Sequence, residues 1–172
     1  TTCLPTSVRI EPQDPTHARG LFDALGDPRI YEFLDEAPPA SVAALQDRIV
    51  RRARGAPVDS GQTWLNWTVF DAGIIVGYTQ ATIDIGGTAR LAYVLTPGVW
   101  GRSIAHAACC LTIAELDAHP SVTEILADTA VTNTRSKALL GRLGFDETHR
   151  VGADAYFKRT RDARSRAPSA AE

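Results

Sequence analysis

The chain changes its plan at Pro97. Before it, three β-rich runs follow one another across short turns. Trp64–Asp71 (WLNWTVFD) ends at Ala72-Gly73, Ile74–Asp84 (IIVGYTQATID) at Gly86-Gly87, and Thr88–Leu95 (TARLAYVL) at Pro97. Turns that short pair strands antiparallel. After Pro97, Arg102–Ala118 reads as helix, Glu124–Val131 (EILADTAV) as strand and Arg135–Leu143 as helix. A helix joining two strands of one sheet is a crossover, so Thr88–Leu95 and Glu124–Val131 are expected to run parallel. The pattern predicts an α+β fold on one mixed sheet, an antiparallel meander joined to a parallel strand–helix–strand unit.

The flanks fit that frame. Ser7–Pro12 alternates Val8 and Ile10 with polar neighbours and reads as a first strand. Asp14–Phe33 is helical in pattern but broken at Asp27-Pro28. Two prolines keep Leu34–Ser41 (LDEAPPAS) out of helix, and Ser41 is a suitable cap for an amphipathic helix over Ser41–Arg54. Phe145–His149 and Ala155–Thr160 complete the sheet, the second as an edge strand able to pair between subunits, in a monomer or a homodimer. One domain is expected over 1–160, with the polar tail 161–172 disordered.

Composition narrows the partners. The 172 residues are 44% hydrophobic with a formal net charge of −2, and the basic residues are spread along the chain. A nucleic-acid surface needs them concentrated, so none is expected. No apolar run suits a bilayer and no signal peptide is evident, so no membrane partner and a cytoplasmic setting are expected. Cys3, Cys109 and Cys110 form no disulfide framework, and His17, His119 and His149 lack metal spacing, so no metal is expected. The abundance of Ala and Arg suggests a GC-rich bacterial genome.

The stretch PGVWGRSIAHAACC, Pro97–Cys110, is the least bulky part of the chain. It starts the crossover helix where ligands of open sheets sit, beyond the carboxyl ends of parallel strands. A helix start offers unpaired N–H groups and partial positive charge, and small residues let an anion reach them. A small-residue helix packed on a sheet has the same composition, so both readings stand on these residues alone.

Two motifs decide between them. Trp100-Gly101-Arg102-Ser103-Ile104-Ala105 resembles the acyl-CoA-binding signature of GCN5-related N-acetyltransferases (GNAT), in the subgroup that acetylates ribosomal-protein N-termini and small amines. Asn133–Phe145 (NTRSKALLGRLGF) is similar to that family's Asn-x-x-Ser-x-x-Leu-Leu-x-x-Leu-Gly-Phe. The likeness spans roughly Ser7–Arg159. It departs at Ser103, where the family has a second glycine, and at Leu140, where many members carry a tyrosine acid.

The resemblance implies the GNAT fold and acetyl-CoA, or another acyl-CoA, as co-substrate. Pantetheine would bond backbone near Val94 and Leu95. The pyrophosphate would lie on backbone amides of the Gly101, Arg102, Ser103, Ile104, Ala105 and His106 segment, and Asn133 would touch the cofactor arm. Ser136 stands at the position that protonates the leaving thiolate. A backbone N–H near Val94 would meet the oxyanion. Asp84 and Tyr93 are the candidates for general base. Asp35, Glu36 and Trp67 are the candidates for acceptor binding. The acceptor would be a small-molecule amine or a protein N-terminus. Two alternatives stay open: an acyl carrier protein as donor, for which a weakened pyrophosphate loop suffices, and a catalytically silent acyl-CoA-binding module.

Overall fold

The computed structural model describes residues 7–160 of the chain, so the expected tail lies outside the described residues. Seven strands form one sheet in the order β1-β2-β3-β4-β5-β7-β6. They are β1 (Val8–Pro12), β2 (Thr63–Asp71), β3 (Ile74–Ile83), β4 (Thr88–Leu95), β5 (Glu124–Ala130), β6 (Asp146–Val151) and β7 (Asp154–Thr160). All neighbours pair antiparallel except β4 and β5, the crossover pair. Ala155–Thr160 is therefore not an edge: β7 lies between β5 and β6, and the edges are β1 and β6. The reason is the short turn before β7, which folds β6 back on its outer side.

Four helices cover the sheet: α1 (Ala18–Ala24), α2 (Val42–Ala53), α3 (Ile104–Ala118) and α4 (Thr134–Arg142). The break expected at Asp27-Pro28 is real. Asp27 caps a separate 3₁₀ segment over Pro28–Phe33 by accepting from the Arg29 N–H. Ser41 Oγ likewise accepts from Ala44 N–H, 3.0 Å away, and opens α2. Leu45 and Ile49 turn inward from α2 and meet Leu21, Leu25 and Ile30.

The two faces of the sheet carry different layers. One face packs Tyr78 and Val94 under α1 and α2. The other packs Trp67, Ala81, Ala89, Leu91 and Ile125 against Cys109, Ile113 and Leu116 of α3 and Leu139 and Leu140 of α4. Small residues let α3 lie close on the strands, and its buried Thr112 hydroxyl is paired with Thr79 Oγ1 at 2.7 Å. Full burial of side chains such as Leu116 and Ile125 contributes about 2 kcal/mol each. Trp67, 7% exposed, belongs to this core. Trp64 stays half-buried on the opposite face and donates to Gln62.

Candidate active site

β4 and β5 pair only through Thr88–Glu124, Ala89–Ile125 and Arg90–Leu126. Beyond Arg90 each follows its other neighbour, β4 with β3 to Gly77–Leu95 and β5 with β7 to Ala130–Asp154. A wedge opens between them and widens into a cleft of about 450 Å³. Its walls come from β4, the start of α3, the start of α4 and the Arg29–Glu36 segment.

The ladder fixes which backbone groups enter the wedge. Thr96 N–H donates to Val76 C=O at 2.8 Å, so Thr96 faces β3. Alternation in an antiparallel pair then turns Val94 toward β3 as well, and Tyr93 and Leu95 toward the wedge. The Leu95 carbonyl is taken by the Trp100 indole N–H at 3.0 Å. The backbone donors left facing the wedge are those of Tyr93 and Leu95, on either side of the expected Val94.

Gly77 permits this arrangement. Its φ is 152°, and a Cβ there would lie 2.1 Å from the Val94 carbonyl oxygen. Any side chain would push β4 away from β3 at the point where β4 borders the wedge.

The Pro97–Cys110 stretch is both of the things its composition allowed. From Ile104 onward it is a buried helix, with Ile104 itself 3% exposed. Before that it is an open loop in which Gly101 has φ 73° and Ser103 φ 61°. Two left-handed residues flanking Arg102 delay the helix start from Arg102 to Ile104. A left-handed residue on each side of Arg102 is the kind of backbone that forms anion-binding concavities, and the Arg102 N–H itself donates to the Val99 carbonyl at 3.4 Å. Ser103 adopts the conformation that glycine takes without strain, at a cost of about 1 kcal/mol.

Gly101, Ser103, Ala105 and His106 line the cleft, as do Val94, Leu95 and Asn133. Arg102 does not: its guanidinium turns to Asp71, 3.7 Å away. The Ile104 side chain points into the core, so only its N–H is on the loop side.

α4 brings the second motif to the opposite wall. Asn133 Oδ1 caps the helix by accepting from Ser136 N–H at 3.1 Å. Ser136 Oγ lies 2.6 Å from Tyr93 Oη, so the two hydroxyls are bonded and both line the cleft. Burial pushes the Tyr93 phenol well above its ordinary value, against the smaller opposite effect of Ser136. Burial thus favours its neutral form. Arg135, also on α4, lies over the Trp100 ring at 4.0 Å and joins the two loops across the cleft mouth.

The remaining candidates divide. Glu36 lines the cleft; Asp35 does not. Trp67 is buried on the α3 side, away from it. Asp84 sits at the paired end of β4, about 20 Å along the strand from Leu95. Its Oδ1 accepts from the Gly86 and Thr88 N–H groups at 2.9 and 3.0 Å, the bonds of a turn residue.

Further polar residues line the cleft, Tyr78, Gln80, Asp128, Thr129 and Asp154 among them. Sequence reasoning missed them. For Asp128 a signal existed, a lone charge within the apolar run of an inner strand. Among the described residues, no group of three or more His, Cys, Asp or Glu side chains could hold a metal, and no helix is long and apolar enough to cross a membrane.

This architecture has relatives. Residues 7–146 match the family model of the acetyltransferase (GNAT) domain. No curated protein is significantly similar in sequence. Among solved structures, RimL, a ribosomal alpha-N-protein acetyltransferase in complex with coenzyme A, superposes with a TM-score of 0.77 at 15% identity, over 94% of this chain and 98% of that one. Spermidine N-acetyltransferase from Vibrio cholerae gives 0.74 at 15% identity, over 91% and 97%. Aminoglycoside acetyltransferase AAC(6')-Ib with coenzyme A gives 0.75 at 20% identity, over 93% and 98%. With a wedge between the crossover strands, an open loop at the helix start and a family model over most of its length, the chain belongs to the GNAT family of N-acetyltransferases, which move an acetyl group from acetyl-CoA to an amine.

Proposed function

We propose that the wedge holds the thioester of acetyl-CoA, with Ser136 and the amine acceptor on opposite sides of it. The pantetheine arm runs along β4, and the pyrophosphate lies on the N–H groups of the Gly101–His106 loop. The observation that carries this reading is the Tyr93–Ser136 hydroxyl pair at 2.6 Å, on the wedge wall opposite the Arg29–Glu36 segment.

The chemistry follows from those positions. A neutral amine attacks the thioester carbonyl and a C–N bond forms. The carbonyl oxygen gains charge and is met by a wedge-facing N–H of Tyr93 or Leu95. Collapse breaks the C–S bond and leaves its electron pair on sulfur. Ser136 gives its proton to that thiolate and regains one from solvent, which also takes the proton lost by the amine. With Tyr93 donating to Ser136 Oγ, the serine proton is free to point into the wedge. Positioning and electrostatics supply most of the acceleration in such a site.

The preserved loop favours CoA over a carrier-protein arm, because Ser103 holds the left-handed turn despite its side chain. Thiol release from acetyl-CoA, measured with a panel of primary amines, tests the proposal. Amine-dependent release is expected. Binding of acetyl-CoA without release would instead mark a silent binding module, and release only from a carrier-bound thioester would replace the donor.

A further inference from the structure

We infer that Arg48, Arg52 and Tyr78 form an oxyanion site on the α1–α2 side of the sheet, which takes a carboxylate or phosphate group borne by the acceptor or free in solution. The three residues come from two elements. Arg48 and Arg52 stand one turn apart on α2 and share a face. Ile49, between them in sequence, belongs to the buried cluster that contains Tyr78. Tyr78 is on β3 and also lines the cleft.

The phenol gives the first sign of a ligand. Tyr78 is 7% exposed, and among the described residues its hydroxyl has no hydrogen-bond partner. Tyr31, in the same layer, shows the satisfied arrangement: its hydroxyl donates to the Leu25 carbonyl at 2.8 Å. A buried hydroxyl without a partner is costly unless a bound group completes it.

The arginines give the second. Both are half-buried, and among the described residues neither makes a hydrogen bond or an ion pair. Burial, and then the charge of Arg48, hold the Arg52 guanidinium below its ordinary value. Both charges also act on the Tyr78 phenol. Glu36 acts on Arg52 and Tyr78 as well but pairs with neither, so two cations face one carboxylate. Enclosed cations without a counter-charge are unfavourable. An oxyanion would meet the guanidinium forks through charge-assisted bonds, with the phenol as a further donor.

There is room for one. Arg52 lines a second hollow, of about 290 Å³, with Ile49, Trp64 and Asn66. Asn66 pairs with Gln80, a cleft residue on β3, so hollow and cleft adjoin along the sheet. Neighbouring strands lie about 5 Å apart, so an acceptor reaching from the wedge to β3 needs a span on the order of 10 Å.

The test reads the site directly, from the arginine Nε–Hε resonances of isotope-labelled protein. Those of Arg48 and Arg52 are assigned through Arg48→Lys and Arg52→Lys. The probes are inorganic phosphate, 6-aminohexanoate and 6-aminohexanamide, the last lacking the carboxylate. Phosphate or the aminohexanoate should shift both resonances saturably, and the amide should not. Tyr78→Phe, which keeps the ring and removes the donor, should weaken that binding at least about fivefold. Thiol release from acetyl-CoA separates the two sources. Preference for 6-aminohexanoate over its amide in kcat/KM, by about tenfold, upholds the site with the anion on the acceptor. Equal use of both amines while phosphate still binds upholds it with a free anion. Shifts without thiol release from either amine uphold the site and sink the transfer reading instead. No shift of either resonance, shifts that the amide reproduces, or binding that Tyr78→Phe leaves unchanged would overturn the inference.

Discussion

The two sides of the β4–β5 wedge are built on different principles. On the α3–α4 side the polar groups are already paired with one another: Tyr93 with Ser136, Asn133 with the α4 backbone, Thr79 with Thr112. On the α1–α2 side the side chains of Tyr78, Asp128 and Asp154 are left without hydrogen-bond partners among the described residues. The first side is organised before anything binds. The second, on the proposed function, is completed by what binds. A family that keeps one donor and varies its acceptors needs that division, because preorganisation accelerates a fixed step while unpaired groups set selectivity.

The change that breaks the comparison outright is Gly77→Ala. Its Cβ would collide with the Val94 carbonyl, so both sides lose their shared strand. A destabilisation of about 3 kcal/mol or more is expected in urea unfolding, with acetyl-CoA binding lost. Ser136→Ala acts on the organised side alone. It should lower kcat by about 100-fold while leaving acetyl-CoA affinity nearly unchanged. Equal loss of both would make Ser136 a structural residue.

Tyr78→Phe acts on the other side. It should raise KM for the amine severalfold and leave acetyl-CoA binding alone. Because the hydroxyl has no partner, stability should not fall. Ser103→Gly is subtler: relief of the left-handed serine should stabilise the fold by about 1 kcal/mol, read from the denaturation midpoint.

The smallest effect is on pH dependence. Burial pushes the Tyr78 phenol up to about 12 from an ordinary 10. A raised value in the folded state favours the neutral form, so its contribution is intact below pH 10. It is lost as pH rises from 10 toward 12, where the unfolded chain ionises first. Denaturation midpoints should fall across that range, and fall less in Tyr78→Phe.

The same division explains what the sequence disclosed. Thr88–Leu95 is a strand over the residues its composition marked out, and Ser41 caps α2 where a short polar side chain precedes the helix. The organised side is made by contiguous motifs, so Ser136, Gly101 and Asn133, which line the cleft, stand together in two short stretches of sequence. The opposite side is assembled from residues far apart in sequence, Tyr78 on β3, Asp128 on β5 and Asp154 on β7, and only strand order puts them on one cleft. Asp84 attracted attention as a charge beside a turn and proved to bond that turn. Trp67 could not be told from Trp64 by spacing, because alternation says that they differ in face but not which face is covered. The order β5-β7-β6 was hidden because strand sequence does not say on which side a hairpin folds back.

Calorimetric titration with acetyl-CoA, beside acetyl-pantetheine, tests the central claim most directly. The wedge and the Gly101–His106 loop together predict one site of micromolar affinity for acetyl-CoA. Acetyl-pantetheine, which lacks the pyrophosphate, should bind at least about tenfold more weakly, a difference of 1.4 kcal/mol. Absence of acetyl-CoA binding, or equal affinity for the two thioesters, would contradict the assignment of the loop and wedge to the cofactor.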